Sequence, residues 1–372
     1  MLKIAGNKTL SSNSSILKYF SNSKYNYNFK NLKKFKKFNT ILVIGMGGSI
    51  LGSKAIYSFL KHRIKKKFIF VDNIDHQFLK EIKKKNSLYK TLFLIISKSG
   101  NTIETIVNSS FFTPFLNKSN TIILSENKNN ILSNLARSKK FEFIKHDSSV
   151  GGRYSVFTEV GMVPAYFMGL NSQKFKKNLE KFLYSKKTIS SSLKNFSRIK
   201  IKKSKILVML NYCPELNDFL FWAQQLLAES LGKDKRGFMP VVSNAPKDHH
   251  SLMQLYLDGP KDKIFYIFSE PLRNSPFIKS KFFGNKVNYL NNKTHQNVKF
   301  SQKNALIRVF KEKKIPFREI KFKKFDEQSI GKLFGIFILE TMILGKIFGV
   351  NPYDQPAVEN VKIITKKFLN SK

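Results

Sequence analysis

Cysteine is almost absent from this chain: among 372 residues only Cys213 is present. A single cysteine cannot form an intramolecular disulfide, which excludes a disulfide-stabilised domain and is typical of proteins from a reducing compartment. The N-terminal residues, Met-Leu-Lys-Ile-Ala-Gly-Asn-Lys, also lack an apolar run of the length that a signal peptide needs. We therefore expect a cytoplasmic protein.

Long apolar runs are scarce as well. Only residues 333–350 have the length of a membrane span, and Glu340 and Lys346 interrupt them. Burying either charge at the centre of a bilayer would be costly, so this stretch predicts a core helix and no membrane partner.

Acidic residues are few: Asp and Glu number 24 against 67 Lys and Arg, a formal net charge of +43. Such an excess is typical of nucleic-acid-binding proteins, for which salt-sensitive association would be the sign. The basic runs, however, are distributed along the whole chain, at residues 33–37, 65–67, 83–85 and 202–203. This distribution favours a solvated basic surface over a nucleic-acid-binding patch.

Short apolar runs that end at turns and precede helix-length segments recur along the chain, an order typical of parallel α/β sheets. In the first half we expect five strands, at residues 40–44, 67–71, 91–96, 120–124 and 141–145. The order restarts at Ser204, with strands expected at 204–210, 237–243 and 263–268 and helices at 217–231 and 325–349. The 372 residues are enough for two such units, each with its own core.

This order divides the chain into five predicted parts. They are a short lead-in at 1–38, a first α/β unit at 39–170, a helical connector at 171–203, a second α/β unit at 204–350 and a C-terminal segment at 351–372.

A hydroxyl-rich turn follows the strongest apolar run. Residues 97–105, Ser-Lys-Ser-Gly-Asn-Thr-Ile-Glu-Thr, lead from this strand into an expected helix, whose first backbone N–H groups favour an anion. The turn offers the hydroxyls of Ser97, Ser99 and Thr102. Gly100 adds a flexible backbone and Lys98 a cation. We predict a phosphate site here; the simpler alternative is a helix start capped by Thr102 or Asn101.

A glycine turn follows the first strand, at residues 45–52. Its spacing, Gly-x-Gly-Gly-x-x-x-Gly, differs from the Gly-x-Gly-x-x-Gly pattern of dinucleotide-binding folds, so we expect no nucleotide cofactor. Gly48 offers close backbone approach and Ser49 a hydroxyl. Both turns end strands of one parallel sheet, so we expect them at the same edge, where they suit a single phosphate.

Two charged residues stand out near predicted turns. Arg153 follows the pair Gly151-Gly152, in a chain whose surface cations are mostly lysine, and is predicted to be a positioned cation rather than a solvated one. Glu229 lies near the end of the 217–231 helix, and we predict a general base there. The alternative is a surface carboxylate paired with Lys233, four residues further on.

His249 and His250 precede an apolar helix and are candidates for proton exchange near neutral pH, with solvation or capping as the alternative. Adjacent histidines point apart, and no second ligand motif accompanies them, so we predict no metal site. Lys362 and Gln355 give little signal by themselves.

Six ordered segments make the chain similar to the phosphoglucose isomerase family over residues 41–362. They are residues 45–52 and 97–105, given above, with Gly-Gly-Arg-Tyr-Ser-Val-Phe-Thr at 151–158, Glu-Ser-Leu-Gly-Lys at 229–233, His-Ser-Leu-Met-Gln at 250–254 and Asn-Pro-Tyr-Asp-Gln-Pro-Ala-Val-Glu-Asn-Val-Lys at 351–362. The resemblance implies two α/β/α sugar-isomerase (SIS) units with mostly parallel sheets, a homodimer, and cofactor-free interconversion of glucose 6-phosphate and fructose 6-phosphate.

The resemblance also implies a role for each matching residue. Glu229 would transfer the proton between C1 and C2, and Arg153 would stabilise the enediolate. His250, extending from the partner subunit, would open the sugar ring with help from Lys362. The phosphate-binding positions would be Ser49, Ser97, Ser99 and Thr102, with Gln355 near the phosphate.

Two alternatives remain for the function. The same fold could act on mannose 6-phosphate as well, as bifunctional sugar isomerases do. A non-catalytic sugar-phosphate sensor is the other; Glu229 argues against it, because a sensor needs no base.

Overall fold

The computed structural model describes residues 16–21, 25–199 and 201–371. Part of the predicted lead-in therefore lies outside the described residues, as do Lys200 of the connector and Lys372 of the C-terminal segment. Within the described part of the lead-in, Tyr19, Phe20 and Phe35 are buried against the core.

Five strands form a first, all-parallel sheet in the order β2-β1-β3-β4-β5. They are β1 (Thr40–Gly45), β2 (Lys67–Val71), β3 (Thr91–Ile96), β4 (Thr121–Ser125) and β5 (Glu142–Lys145). All five predicted strands are confirmed, with differences of one residue at some ends. Successive side chains of β1 and β3 are buried on opposite faces, which explains their continuous apolar sequences.

Four strands form a second parallel sheet in the order β7-β6-β8-β9. They are β6 (Ile206–Asn211), β7 (Met239–Asn244), β8 (Lys263–Ser269) and β9 (Phe317–Lys321). The predicted α/β class with mostly parallel sheets is confirmed. Strand β9 was not predicted, because Phe-Arg-Glu-Ile-Lys contains only two apolar residues.

Fourteen α-helices in the described residues accompany the sheets. They are α1 (Lys18–Ser21), α2 (Leu51–Leu60), α3 (His76–Lys85), α4 (Ile103–Ser110), α5 (Ile131–Lys139), α6 (Glu159–Phe167), α7 (Ser172–Lys176), α8 (Leu179–Leu183), α9 (Lys186–Arg198), α10 (Asn217–Leu231), α11 (Met253–Asp258), α12 (His295–Glu312), α13 (Glu327–Phe348) and α14 (Val358–Asn370). The helix predicted at 217–231 matches α10. Helix α12, which begins at His295, was not among the predicted elements.

One hydrophobic core is shared by both sheets. Helices α2, α10 and α13 contribute buried residues such as Phe59, Trp222 and Phe334, which pack with inward side chains of both sheets. The outer faces of the sheets form separate cores, one with α3 and α5 and the other with α11 and α12.

The long helix α13 contains Glu340 and Lys346, the two charged residues that interrupt its apolar sequence. Glu340 is buried and accepts hydrogen bonds from Arg318 Nη1 at 2.7 Å and Ser192 Oγ at 2.5 Å, while Lys346 is exposed. Asp326 caps the start through Ser329 N, and Gly349 ends the helix with φ +69°. No helix of the described residues has both the length and the apolarity that crossing a membrane requires.

Candidate active site

Two turns lie at the carboxyl-terminal edge of the first sheet. The β1 turn (residues 46–50) contains a short 3₁₀ helix at Gly47–Ser49, and the β3 turn (residues 97–102) leads into α4. The β1 and β3 strands pair in register up to Gly45 and Ile96, so both turns start side by side. The predicted common edge is confirmed.

The β3 turn gathers its hydroxyls. Ser97 Oγ lies 2.9 Å from Thr102 Oγ1, and Ser99 Oγ lies 3.5 Å from the same atom. Gly100 adopts φ +67°, and its N–H donates to Ser97 Oγ at 3.2 Å. Thr102 occupies the N-cap position of α4, yet its side chain forms no capping bond, so its hydroxyl is directed to the other hydroxyls. Thr102 is therefore the N-cap residue by position, as the alternative has it, but neither its side chain nor that of Asn101, whose Oδ1 accepts from Ile131 N, caps α4.

Lys98 adds a cation beside the β3 turn. Its Nζ lies 3.8 Å from Glu126 Oε1. Burial, mainly, lowers the pKa of Lys98, and the neighbouring charge of Arg153 lowers this pKa further. Lys98 therefore places a partly buried cation beside the β3 turn.

The β1 turn touches the segment that contains Arg153. A Cβ added to Gly48 would lie 2.1 Å from the carbonyl carbon of Gly152, so only glycine allows this approach of the two backbones. Ser155 Oγ also donates to Gly48 O at 3.4 Å, and Ser49 is buried in the same turn. This contact places the β1 turn next to the segment that contains Arg153.

Arg153 is buried and fixed by four hydrogen bonds. Its Nε donates to Ser230 Oγ at 2.7 Å, Nη1 to Gln355 Oε1 at 2.5 Å, and Nη2 to the carbonyls of Pro352 and Asp354 at 2.8 and 2.9 Å. The solvated alternative is wrong. Gln355 thus lies next to the guanidinium.

Tyr154 supports the same arrangement. Its hydroxyl lies 2.9 Å from Ser230 Oγ and donates to Pro352 O at 2.8 Å. Burial raises the pKa of Tyr154 to about 12, so the hydroxyl keeps its proton for this bond at neutral pH.

Glu229 faces the guanidinium. Its Oε1 lies 3.2 Å from Arg153 Nη1, and its side chain remains 25% exposed, which leaves room for a ligand. Lys233 instead pairs with Asp354 and donates to Asn351 O. The alternative of a surface pair between Glu229 and Lys233 is therefore wrong.

Gln225 was missed by the sequence analysis. It lies one helical turn before Glu229 on α10 and donates from Nε2 to Glu229 Oε2 at 3.0 Å. The same Nε2 packs against the β1 turn, since a Cβ on Gly47 would come within 2.6 Å of it. Gln225 Oε1 is buried without a hydrogen-bond partner among the described residues, which makes it a free acceptor in the site. The i, i+4 spacing from Glu229 was the available signal.

His250 is not brought to Glu229 within one chain. It follows β7, at the edge of the second sheet where β6 ends and α10 begins, and its neighbour His249 lies 2.6 Å from the Tyr212 hydroxyl through Nε2. Glu229 is twelve residues along α10, about 18 Å along the helix axis. His250 is exposed, so it is accessible to another molecule.

Lys362 also lies outside the assembled group. It is exposed on α14, where its Nζ pairs with Glu359 Oε1 at 2.6 Å. No residue of α14 is buried.

One group of potential metal ligands occurs in the described residues: Cys213, Glu215 and Glu270. Both carboxylates are already paired with cations, Glu215 with Arg273 and Glu270 with Arg273 and Lys299. This group does not include Glu229 or the two adjacent histidines.

Fold and site together define an α/β protein in which a carboxylate and a buried arginine lie beside hydroxyl-rich turns at strand ends. The chain belongs to the phosphoglucose isomerase family, whose model matches residues 14–372. A glucose-6-phosphate isomerase of Methanocaldococcus jannaschii is 32% identical over 91% of this chain and 87% of the relative. One of Campylobacter jejuni is 31% identical over 89% of this chain and 85% of the relative.

Solved structures share the fold. A hypothetical protein from Thermus thermophilus superposes with a TM-score of 0.87 at 22% identity, covering 100% of this chain and 95% of that one. A glucose-6-phosphate isomerase from Chlamydia trachomatis superposes with a TM-score of 0.70 at 18% identity, covering 95% of this chain and 77% of that one.

Proposed function

We propose that this chain interconverts glucose 6-phosphate and fructose 6-phosphate by ring opening and proton transfer through a cis-enediolate. The observation that supports this most directly is the Arg153–Glu229 pair next to the β1 turn. Family membership and the names of the relatives agree with it.

The phosphate is proposed to bind between the two turns. Hydroxyls of Ser97, Ser99 and Thr102 would donate to its oxygens, with backbone N–H groups and the hydroxyl of the β1 turn opposite, and with Lys98 neutralising charge. This would position the sugar carbons over α10, since the β1 turn contacts Gln225.

Glu229 is then the proposed base. It would take the proton from C2 of the open aldose and deliver it to C1, while the carbonyl oxygen at C1 becomes an oxyanion. The proton of the C2 hydroxyl would pass to that oxyanion, so that C1 ends as CH2OH and C2 as the carbonyl. Arg153 would stabilise that oxyanion, because its guanidinium is already oriented by Ser230 and the Pro352–Asp354 carbonyls and need not reorganise. Gln225 Oε1 would accept from a substrate hydroxyl.

A second copy of the chain is proposed to complete the site. His250 would open the ring in the partner's site, which agrees with its exposure and its distance from Glu229 in its own chain. Lys362 is proposed to assist this step once α14 packs in the dimer. Exposed apolar side chains on α14, such as Val361 and Phe368, support such packing.

Activity is tested by supplying fructose 6-phosphate and coupling the product to glucose-6-phosphate dehydrogenase. NADPH formation at a rate that depends on the amount of this chain is expected, and none would refute the proposal. Mannose 6-phosphate in parallel separates a dedicated isomerase from a bifunctional one.

The shared site is tested by mixing two inactive variants, Glu229→Gln and His250→Ala, after reversible dissociation. A heterodimer would contain one site with both native residues, so the mixture should regain about a quarter of the native activity. No regain, with heterodimers verified by mass, would place His250 in its own chain's site.

We infer a cytoplasmic setting and no cofactor, which the lone buried Cys213 and a proton-transfer mechanism support. The division at 39–170, 171–203 and 204–350 is likewise proposed as two SIS-type units with a connector.

A further inference from the structure

The second sheet has its own crevice at the carboxyl ends of its strands. Its strand order changes direction between β6 and β8, as that of the first sheet does between β1 and β3. Helix α10, after β6, packs on one face of the sheet, and α12, after β8, packs on the other. The connections that follow β6 and β8 therefore leave the sheet toward opposite faces. In open parallel sheets such a point is where ligands bind.

A cavity of about 610 Å³ lies at this point. Its lining includes three charged residues: Glu270, which directly follows β8, with Arg273 and Lys299. The lining also includes the aliphatic side chains of Ile278, Leu290 and Val298, called the apolar wall below. The volume is in the range of small-molecule sites.

The charged residues of the lining differ in burial. Glu270 has a side chain only 1% exposed and accepts from both Arg273 and Lys299. The cations are more open, with side chains 42% and 23% exposed, and both line the cavity. Arg273 also pairs with Glu215, and each cation carries more N–H groups than these pairs use. A buried carboxylate thus fixes two cations beside an apolar wall, which favours a ligand with a negative head and an apolar body.

We propose that this crevice binds a small organic anion, an oxyanion attached to an apolar group, at a site separate from the Arg153–Glu229 pair. The two sites lie at opposite ends of α10, because the crevice follows β6 and β8 whereas Glu229 is near the last turn of that helix. The proposal does not depend on the isomerase activity.

Phenyl phosphate is the probe, titrated calorimetrically into the full chain with glucitol 6-phosphate present in excess. One saturable binding event per chain is expected. Ile278→Trp fills the apolar wall and Lys299→Met removes a cation, and each should weaken this event at least tenfold. Lys311→Met, on α12 but away from the cavity, is the matched control and should leave it unchanged.

Inorganic phosphate should bind the crevice at least tenfold more weakly than phenyl phosphate, because it cannot use the apolar wall. Wild-type chain that shows no saturable binding, as when a second copy covers the crevice, would overturn the proposal. So would equal affinity in wild type, Ile278→Trp and Lys299→Met. Since both variants change only the crevice, these results stand whether or not the chain isomerises hexose phosphates.

Discussion

Arg153 Nη1 lies 3.2 Å from Glu229 Oε1, although one residue follows the first sheet and the other ends a helix of the second half. The pair links the two halves of the chain at the point where the β1 turn is also in contact. Changes to either half should therefore affect the same chemistry.

Glu229→Gln should lower kcat by about 10²–10⁴-fold, because the amide cannot accept the substrate proton. Binding of fructose 6-phosphate should change little, since the side-chain shape is kept. Coupled kinetics and calorimetry measure the two effects, with exposed Glu81→Gln as the control. A kcat close to that of wild type would remove Glu229 from its proposed role.

Ser230→Ala should impair both stability and turnover. It removes the acceptor of Arg153 Nε and a partner of the Tyr154 hydroxyl in a buried setting, at a cost of about 1–3 kcal/mol in the free energy of unfolding. Tyr154→Phe leaves the Arg153 bond intact, so its loss of kcat should be smaller. Urea unfolding and kcat are measured for both variants. A larger loss of kcat in Tyr154→Phe than in Ser230→Ala would contradict the prediction.

Thr102→Val should raise KM about tenfold or more with little change in kcat, because a hydroxyl that binds a charged phosphate is lost while the shape is kept. Thr105→Val, one turn later on α4, is the matched control: its Oγ1 is buried without a partner among the described residues. Equal KM values for the two variants would argue against phosphate binding at the β3 turn.

Gly48→Ala should destabilise the chain by about 1–3 kcal/mol and lower turnover, because the new Cβ would displace Gly152 and the attached Arg153. Gly152→Ala is the control, as a Cβ there meets nothing within 4 Å. Thermal unfolding measures the loss of stability, and kcat measures the loss of turnover. Similar losses in the two variants would show that the contact between the backbones is not responsible.

Lys98 should produce an alkaline loss of substrate affinity. Burial lowers its pKa, so the folded chain loses this positive charge at a lower pH than a free lysine would, and phosphate binding weakens as pH rises through that lowered pKa. The kcat/KM profile of the free enzyme should fall there, and Lys98→Arg should remove the fall because the guanidinium stays charged. A profile unchanged by the substitution would exclude Lys98 as its cause.

Local features were predictable from the sequence. Strands β1 and β3, the two turns after them and helix α10 follow from continuous apolar runs, glycine and hydroxyl residues, and helix-forming side chains. Strand β9 was not predictable in this way, because it is short and charged and is stabilised by pairing with β8.

The sequence by itself determined which strands end at one sheet edge and which residue types stand there, since these depend on neighbours in the chain. Only the tertiary structure decided that Glu229 pairs with Arg153 rather than with Lys233, that Gln225 joins the β1 turn, and that His250 is far from Glu229 in one chain. The physical reason is that these contacts depend on how α10 packs against the first sheet's turns, and packing between distant segments leaves no periodic pattern in either of them.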